Sequence, residues 1–386
     1  MTQRTRPRHV LVVIFVASAA AAVLGSRGQA ADAWNAASAA KYLDARMETW
    51  WANAKVLKTG DGEQRCLSCH TAVPYVLARP KLRRILGERT ATAHETRIVE
   101  TARARTASLA GEQPYYDNTE DKKLESRGVE AVLNAFVLTS NEAETNEINP
   151  HPATTAAIAR LWEVQRADGA WDWLNFGLEP YEAPDAVFHG ATLAALAAGS
   201  PSGSKAGRTA AGVAGADRLR SYLTANVKAQ RLFNKAWALI AAAQFHFLTA
   251  AELAAIVREL EAAQRADGSW SLNDLGTWRW SKTDAPFAAP GSTDHALLSS
   301  ADGYATGLAV YALRQSVAEG TPAIARGQRW LREHQAREVA GDTSWAPWRA
   351  HSLNYDREHG GPKGEPWRRM FMSDLATAFA VLALAD

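Results

Sequence analysis

The sequence predicts an all-α fold, and three observations support this prediction. Strand-like alternation of apolar and polar residues is absent along the chain. Two kinds of helix-like segment alternate instead, six amphipathic and six apolar on nearly all sides. The chain also repeats itself, as folds built from stacked helix pairs do. Six alternating pairs favour an (α/α)6 toroid, with the apolar helices inside and the amphipathic helices outside.

The outer helices are expected where apolar residues recur on one face. In the segment 251–264, for example, Leu253, Ile256 and Leu260 fall on the same side of a helix. The six predicted outer helices are 34–53, 92–109, 153–165, 214–229, 251–264 and 321–335.

The inner helices are expected where the sequence is rich in alanine and apolar throughout. Three of them, 185–196, 302–313 and 373–384, superimpose without gaps, and the other three are 70–86, 125–138 and 232–245. The Gly- and Ser-rich segment 199–215 reads as a flexible surface connection within one domain, because the repeat resumes beyond it.

A short motif recurs at the ends of outer helices. VQRADGAWDW (164–173) and AQRADGSWSL (263–272) are near copies, and HQAREVAGDTSWAPW (334–348) is a looser copy with four extra residues between Gln and Trp. The Asp-Gly pair in the first two copies predicts a turn after each helix.

This Gln-x-x-Asp-Gly-x-Trp pattern resembles the QW motif of squalene–hopene cyclases and related terpene cyclase and prenyltransferase toroids. The resemblance covers about residues 34–386 and implies the toroid as a single domain. In that family the glutamine caps a neighbouring helix, the tryptophan stacks on it, and the motif carries no chemistry. The resemblance assigns these roles to Gln165/Trp171, Gln264/Trp270 and Gln335/Trp345.

The catalytic pattern of those cyclases is missing from the sequence. They protonate an alkene with an Asp-x-Asp-Asp cluster, in which neighbouring acids make one carboxyl strongly acidic. The matching segment SSADGYATG offers Asp302 alone. Asp185, Asp302 and Asp374 each stand where an inner helix begins, which is typical of N-capping residues. Squalene–hopene cyclase activity is therefore not expected.

Residues 1–30 are predicted to be a secretory signal peptide. The basic MTQRTRPRH is followed by an apolar stretch, 10–24, that is short for a membrane span, and then by small residues suited to cleavage. An uncleaved anchor is the alternative. Removing residues 1–30 takes away four arginines and no acid, so the formal charge changes from +2 to −2. We expect a periplasmic or secreted protein without a stable membrane span and without a nucleic-acid partner.

The chain has two cysteines, Cys66 and Cys69, which stand in the segment CLSCH directly before His70. Cys-x-x-Cys-His is the attachment motif of c-type haem, whose vinyl groups react with the two thiols and whose iron binds the histidine. Export favours this interpretation because covalent attachment of haem in bacteria takes place outside the cytoplasm. A Cys66–Cys69 disulfide, redox-active or structural, is the alternative.

Closure of the ring predicts what lies beside His70. The first inner helix should touch the sixth, so Met370 and Met372 are candidates for the distal iron ligand, with simple packing as the alternative. His189 is the next candidate. Glu130 stands in an otherwise apolar helix and needs a partner. Residues that could face a central cavity are Glu130, Asp185, His189, Trp237, Asp302 and Tyr304.

Two long insertions, 271–301 and 346–372, are expected on the rim that carries the cysteines. They contribute Trp278 and Trp280, and Trp348 and Trp367, while residues 112–121 add Tyr115 and Tyr116. Loops of this length in a compact domain are usually functional, and these predict an aromatic lid.

Three functions remain open on this basis. The first is an exported haem c protein that transfers electrons to a redox partner or oxidises an apolar, terpenoid-like molecule in the central cavity. The second is a haem-free toroid that binds or isomerises a terpenoid-like lipid, with the cysteines as a disulfide. The third is a non-catalytic scaffold that binds a protein partner at the rim.

Overall fold

The computed structural model describes residues 34–59, 62–107, 113–279, 291, 293–316, 321–342, 345–351, 353 and 366–385. The predicted signal peptide and Trp280 lie outside the described residues. Residues from Trp34 onwards form one compact unit. Among the helices in these ranges, none combines the length and the apolar character that crossing a membrane requires.

The predicted helices are present, with ends shifted by a few residues. The outer helices are α1 (Ala36–Asn53), α3 (Ala93–Ala107), α5 (Pro152–Glu163), α8 (Ala210–Asn226), α10 (Ala250–Ala262) and α13 (Pro322–Glu333). The inner helices are α2 (Ala72–Ile85), α4 (Glu120–Glu144), α6 (Ala186–Gly199), α9 (Leu232–Phe245), α12 (Gly303–Ser316) and α14 (Phe371–Leu384). Short helices α7 (Pro201–Ala206) and α11 (Thr293–Leu298) lie in connections, with 3-10 turns at Val227–Ala229, Leu272–Leu275 and Pro366–Met370.

The inner helices form a closed ring. Helices α2, α4, α6, α9, α12 and α14 pack each against the next, and α14 packs against α2. The outer helices pack around them, with α1 on α2 and α14, and α13 on α12 and α14. This arrangement is an (α/α)6 toroid and confirms the predicted fold. Neighbours on every side explain the apolar sequence of the inner helices, since every residue of α14 is buried.

The repeated glutamine joins each outer helix to the one that follows it in the ring. Gln165 donates Nε2–H to the carbonyl oxygen of Gly169 in its own turn, at 3.0 Å, and to that of Gly215 in α8, at 3.1 Å. Gln264 likewise reaches the carbonyl oxygen of Ala323 in α13, at 2.8 Å. The glutamine thus bridges the turn after one outer helix and the next outer helix through their backbone carbonyls. Gly215 lies inside α8, so Gln165 does not cap the neighbouring helix as the resemblance implied.

Glycine is required in the turn of this motif. Gly169 has φ +96°, a conformation that favours glycine, and a Cβ atom there would lie 2.3 Å from the carbonyl oxygen of Arg218 in α8. Arg218 in turn donates to Oε1 of Gln165 at 2.8 Å. The Asp-Gly turn therefore lets the next outer helix approach closely enough to bind the glutamine.

The tryptophan of the third copy is Trp348, so the assignment of Trp345 was wrong. Trp171 and Trp270 each donate the indole N–H to a carbonyl in the last turn of the preceding outer helix. Trp348 makes the equivalent bond, to the carbonyl oxygen of Leu331 at 2.9 Å. Trp345 is half-buried, and its indole N–H has no hydrogen-bond partner in the described part of the chain. Trp348 comes three positions after Trp345, so the third copy has seven extra residues between its glutamine and its tryptophan rather than four.

The segment 199–215 is not the flexible connection that its composition indicated. Ser200 accepts a hydrogen bond from Gly203 N at 3.0 Å and caps α7, and α8 begins at Ala210. A Cβ atom on Gly203 would lie 1.9 Å from the carbonyl oxygen of Ala197. Gly203 therefore serves close packing against the end of α6 and does not make the segment flexible.

The expectation that strands are absent was wrong at one place. Strands β1 (Val56–Thr59) and β2 (Gly62–Arg65) pair antiparallel, with Val56 opposite Arg65. Strands of four residues are too short to show a convincing alternation, and the available signal was the Gly-Asp pair at positions 60 and 61 between them. This hairpin leads directly into the CLSCH segment, because Cys66 N donates to the carbonyl oxygen of Lys55 at 3.0 Å.

Candidate functional site

The CLSCH segment leads into the first inner helix, α2, whose N-cap position is Thr71, and it supplies hydrogen bonds to the start of that helix. Ser68, between the cysteines, accepts hydrogen bonds on Oγ from the backbone N–H groups of Thr71, at 3.1 Å, and Ala72, at 3.0 Å. Trp50 of α1 donates its indole N–H to the carbonyl oxygen of Cys66 at 2.8 Å. The hairpin and Trp50 hold one cysteine, and the helix cap holds the other.

Both cysteines and His70 line a single pocket. Its empty space, counted together with open solvent at the mouth, is about 640 Å³. The wall opposite the motif belongs to α4, and α3 and the loops before α4 and α6 complete it. The aromatic lining residues are Trp50, Tyr115, Tyr116, Trp173 and Tyr181.

The two cysteines are free thiols, Cys69 buried and Cys66 half-buried. Burial raises the pKa of the Cys66 thiol to about 12, and the carboxylates of Glu130 and Glu182 add to the rise. Burial also raises the pKa of Cys69 well above its ordinary value. Both thiols are therefore protonated near neutral pH, the opposite of what a thiolate-based redox pair requires.

His70 is buried between aromatic side chains. Its ring stacks on that of Phe371, with ring centres 3.7 Å apart and planes at 21°. The ring of Trp50 meets it edge-on at 5.3 Å. Because Phe371 is the first residue of α14, the start of the sixth inner helix lies beside His70, where ring closure placed it.

Met370 and Met372 flank Phe371 and are both buried. The described residues that line the pocket include neither methionine. Phe371 is the residue of this segment whose ring contacts His70. Ligation of a metal by either methionine stays a prediction.

A chain of polar groups runs from His70 to a buried carboxylate. His70 Nδ1 lies 3.0 Å from Thr71 Oγ1, and Thr71 Oγ1 donates to Asp374 at 2.9 Å. Asp374 also accepts from Tyr42 at 2.9 Å and from Arg46 Nε at 2.6 Å. Burial raises the pKa of Asp374 from its ordinary value, and Arg46 opposes that rise. Asp374 lies inside the first turn of α14 and binds side chains, so it is not the N-cap expected from the sequence.

Glu130 lines the pocket and has a partner that the sequence did not reveal. Arg105 of α3 binds both of its carboxylate oxygens, with Nη2–Oε2 at 2.8 Å. Arg105 also donates to Gln64 at 2.9 Å and lies over the ring of Tyr115, 4.8 Å from its centre. The pair joins different helices, 25 positions apart, so no helical spacing could signal it.

His189, Trp237 and Tyr304 pack at the centre of the ring and not on the pocket wall. The ring of His189 lies 4.5 Å from that of Trp237 and 4.9 Å from that of Tyr181, which lines the pocket. The hydroxyl of Tyr304 is hydrogen-bonded to that of Tyr181. Burial lowers the pKa of His189 to about 3, so its ring is neutral. Aromatic side chains thus occupy the place expected for a central cavity.

Asp302 is a helix cap, as its position suggested. Its carboxylate accepts from the backbone N–H groups of Tyr304, at 2.9 Å, and Ala305, at 2.8 Å, and from Leu272 N at 3.1 Å. Burial raises its pKa to about 7 against these three donors. Asp302 is therefore a weak acid, unsuited to protonating an alkene.

Asp185 lies away from the pocket. It occupies the N-cap position of α6 without making a capping hydrogen bond, and its exposed carboxylate pairs with Arg231. Arg231 also binds Glu179 at 3.0 Å and lies over the ring of Trp278, 4.6 Å from its centre. Asp185 is therefore the exposed member of an ion-pair group whose other acid, Glu179, is buried.

The predicted aromatic lid is only partly at the pocket. Tyr115 and Tyr116 line it, and Trp367 packs 5.2 Å from the ring of Phe371. Trp278 and Trp348 are buried and hydrogen-bonded to backbone carbonyls, so they anchor their insertions. The ends of the first insertion are joined by an antiparallel bridge between residues 271 and 301.

Comparison with known proteins adds little. No protein-family model matches the chain, and no curated protein matches it. A solved structure of an unsaturated glucuronyl hydrolase, described with the saccharide dGlcA-Glc-Rha-Glc, is similar at 14% identity and a TM-score of 0.46. The match covers 88% of this chain and 95% of that one. At this level of similarity we infer nothing from it, and the toroid is assigned from the helix contacts of the chain itself.

Proposed function

We propose that the protein is an exported c-type haem protein built on a toroid like that of the squalene–hopene cyclases. One observation carries the proposal most directly. The two thiols and the imidazole of a single Cys-x-x-Cys-His motif line one pocket, together with residues of α3 and α4 and of the loops before α4 and α6. The predicted signal peptide supports export, and covalent attachment of haem would consume both thiols of the chain.

The residues present fit a haem. Cys66 and Cys69 would form the two thioether bonds, and His70 would coordinate the iron. The rings of Trp50, Tyr115 and other lining aromatics supply flat apolar walls for a porphyrin. No group of three or more His, Cys, Asp or Glu side chains within the described residues could bind a metal ion directly. A porphyrin is therefore a better match to this motif than zinc held by protein ligands alone.

The chain's own residues orient the imidazole and exclude water from it. Phe371 stacks on one face of His70, and the ring of Trp50 packs against it at 79°. His70 and Cys69 are both buried, so solvent has little access to these two side chains. When bound, the haem supplies one-electron transfer. We propose a redox partner or an apolar small molecule as the counterpart. Met370 or Met372 would serve as a second iron ligand only if its side chain moved to the pocket wall, which neither lines in this structure.

The test is the absorption spectrum of the full chain produced in a bacterial host that matures c-type cytochromes. We expect a Soret band that stays with the polypeptide after denaturation and acid extraction. Cys66→Ala and Cys69→Ala should each weaken it, since each removes one thioether bond. Leu67→Met changes the same segment but keeps both thiols, and it should retain the band. A colourless wild-type protein with a Cys66–Cys69 disulfide would overturn the proposal.

A haem-free toroid that binds a terpenoid-like lipid is the second candidate. It is favoured by the apolar lining that Leu67, Leu133 and Leu174 add to the aromatic residues. Farnesol is a suitable probe, and it should bind the colourless chain and lose affinity in Leu133→Asn. Absence of farnesol binding would remove this candidate. The third hypothesis, a scaffold that binds a protein at the rim, stays untested.

A further inference from the structure

The chain of polar groups that runs from His70 through Thr71 to Asp374, with Tyr42 and Arg46 on the carboxylate, is called the relay below. It is buried along its whole length. His70 and Thr71 lie at the start of α2, Tyr42 and Arg46 on α1, and Asp374 on α14, and each is at most 8% exposed. The relay therefore lies where the first outer helix meets the first and last inner helices. Replacing a buried ion pair with apolar residues is often neutral or stabilising. A role beyond stability would explain why charges occupy this junction.

The hydrogen-bond directions within the relay determine one another. Asp374 accepts from Tyr42 at 2.9 Å and from Arg46 at 2.6 and 3.1 Å, which is the pattern of an ionised carboxylate. It can then only accept from Thr71, so the single hydroxyl proton of Thr71 points toward Asp374. The oxygen of Thr71 must in turn accept a proton from His70 Nδ1, at 3.0 Å.

We propose that Thr71 and Asp374 are positioning residues that hold the imidazole of His70 as its Nδ1–H tautomer. In this tautomer the ring's lone pair is on Nε2, the atom that a metal ion would bind. Arg46 and Tyr42 fix the carboxylate that orients the relay. The inference deepens the proposed function and rests on it only in naming iron as the metal.

The relay also affects the strength of the ligand. A histidine that donates its second N–H to an oxygen backed by a carboxylate becomes a better electron donor, which favours the oxidised metal. Loss of the relay should therefore favour reduced iron. Second-shell changes typically alter metal affinity by about 10–100-fold, so we expect Thr71→Val to favour the ferrous form by about tenfold, or about 59 mV in reduction potential for one electron.

The first measurement needs no haem. In the full chain carrying Cys66→Ala and Cys69→Ala, ¹⁵N NMR of labelled histidine reports which ring nitrogen of His70 bears the proton, and His70→Gln assigns the signal. We expect Nδ1–H with Thr71 present. Thr71→Val should move the population toward Nε2–H, and Thr71→Ser, which keeps a hydroxyl, should restore Nδ1–H. An Nε2–H tautomer in the parent chain, or no change in Thr71→Val, would overturn the inference.

The second measurement is the reduction potential of the haem-loaded protein. A rise in Thr71→Val that Thr71→Ser does not share supports the positioning role, and equal potentials in all three proteins contradict it. Thr71 is the residue to change first, because Asp374→Asn leaves a buried Arg46 without its counter-charge and endangers folding. A colourless wild-type protein would remove the proposed haem function, while the NMR measurement would still decide the role of Thr71.

Discussion

Gln335, at the end of α13, is hydrogen-bonded in both directions to the backbone of Asn35, which precedes α1. Its Nε2–H donates to the Asn35 carbonyl oxygen at 2.9 Å, and its Oε1 accepts from Asn35 N at 2.6 Å. The two residues are 300 positions apart. This side chain therefore joins the last outer helix to the first and closes the outer layer of the toroid.

Gln335→Ala should destabilise the protein through loss of this closure. The Asn35 N–H loses its partner, and the Asn35 carbonyl keeps only the 3.3 Å bond from Ala39 N, so we expect a cost of about 1 kcal/mol in the free energy of unfolding. Urea unfolding measures it. Gln315→Ala, an exposed glutamine at the other end of the ring, is the control and should change little. Equal midpoints for the two variants would contradict the closing role of Gln335.

The two tryptophans of the third repeat should respond differently to the same substitution. Trp348→Phe removes the hydrogen bond to Leu331 and leaves a buried carbonyl without its partner, at a cost of about 2 kcal/mol. Trp345→Phe removes an N–H that has no partner among the described residues, so the cost should be smaller. Thermal unfolding of both variants measures the difference. A larger loss for Trp345→Phe would restore the assignment based on sequence spacing.

The buried pair of Glu130 and Arg105 should matter more than a surface pair. Glu130→Gln leaves a buried guanidinium without its counter-charge, so we expect a loss of about 3 kcal/mol in stability. Glu120→Gln breaks the exposed pair with Lys123 and is the matched control, expected to have little effect. Chemical denaturation of the two variants side by side tests this. Similar losses would mean that water reaches the Arg105 guanidinium.

His189 should make the protein less stable as the pH falls. Its folded pKa, about 3, lies below the ordinary histidine value of about 6.5. The unfolded chain therefore binds a proton that the folded chain does not, at pH values between these two. Its contribution is fully present above about pH 6.5 and is lost toward pH 3, by about 1.4 kcal/mol per pH unit.

The control for this prediction is His189→Phe, which keeps an aromatic ring among Tyr181, Trp173 and Trp237. Of these neighbours, Tyr181 is the titratable one, and burial raises its pKa well above the range of the experiment. Between pH 7.5 and 5.0 the wild type should lose about 2 kcal/mol more than His189→Phe. Parallel pH profiles would show that His189 can be protonated in the folded protein.

Local patterns predicted the helices and the ring, because helical periodicity and repeat similarity are visible over short stretches. The segment Leu253 to Leu260 is a helix, as its apolar spacing indicated. Cys66, Cys69 and His70 line one pocket, as residues so close in sequence must, while the haem attachment that their spacing predicted stays a prediction.

Contacts between distant segments could not be predicted in this way. Arg105 and Glu130 are partners only because α3 packs on α4. Asp374 is of a residue type that often caps helices, but its carboxylate accepts a hydrogen bond from Arg46 on another helix. The glycine at 203 indicated flexibility, whereas its role depends on the approach of a carbonyl oxygen that the sequence does not reveal. In each case the missing information is the packing of one helix against another.

The intact mass of the mature chain, measured under denaturing conditions after production in a host that matures c-type cytochromes, tests the central claim most directly. The account predicts a mass equal to that of the polypeptide from the signal cleavage site plus one haem, with none of the haem lost on denaturation. A mass that matches the bare polypeptide, or one lighter by the two hydrogens lost in a Cys66–Cys69 disulfide, would contradict it.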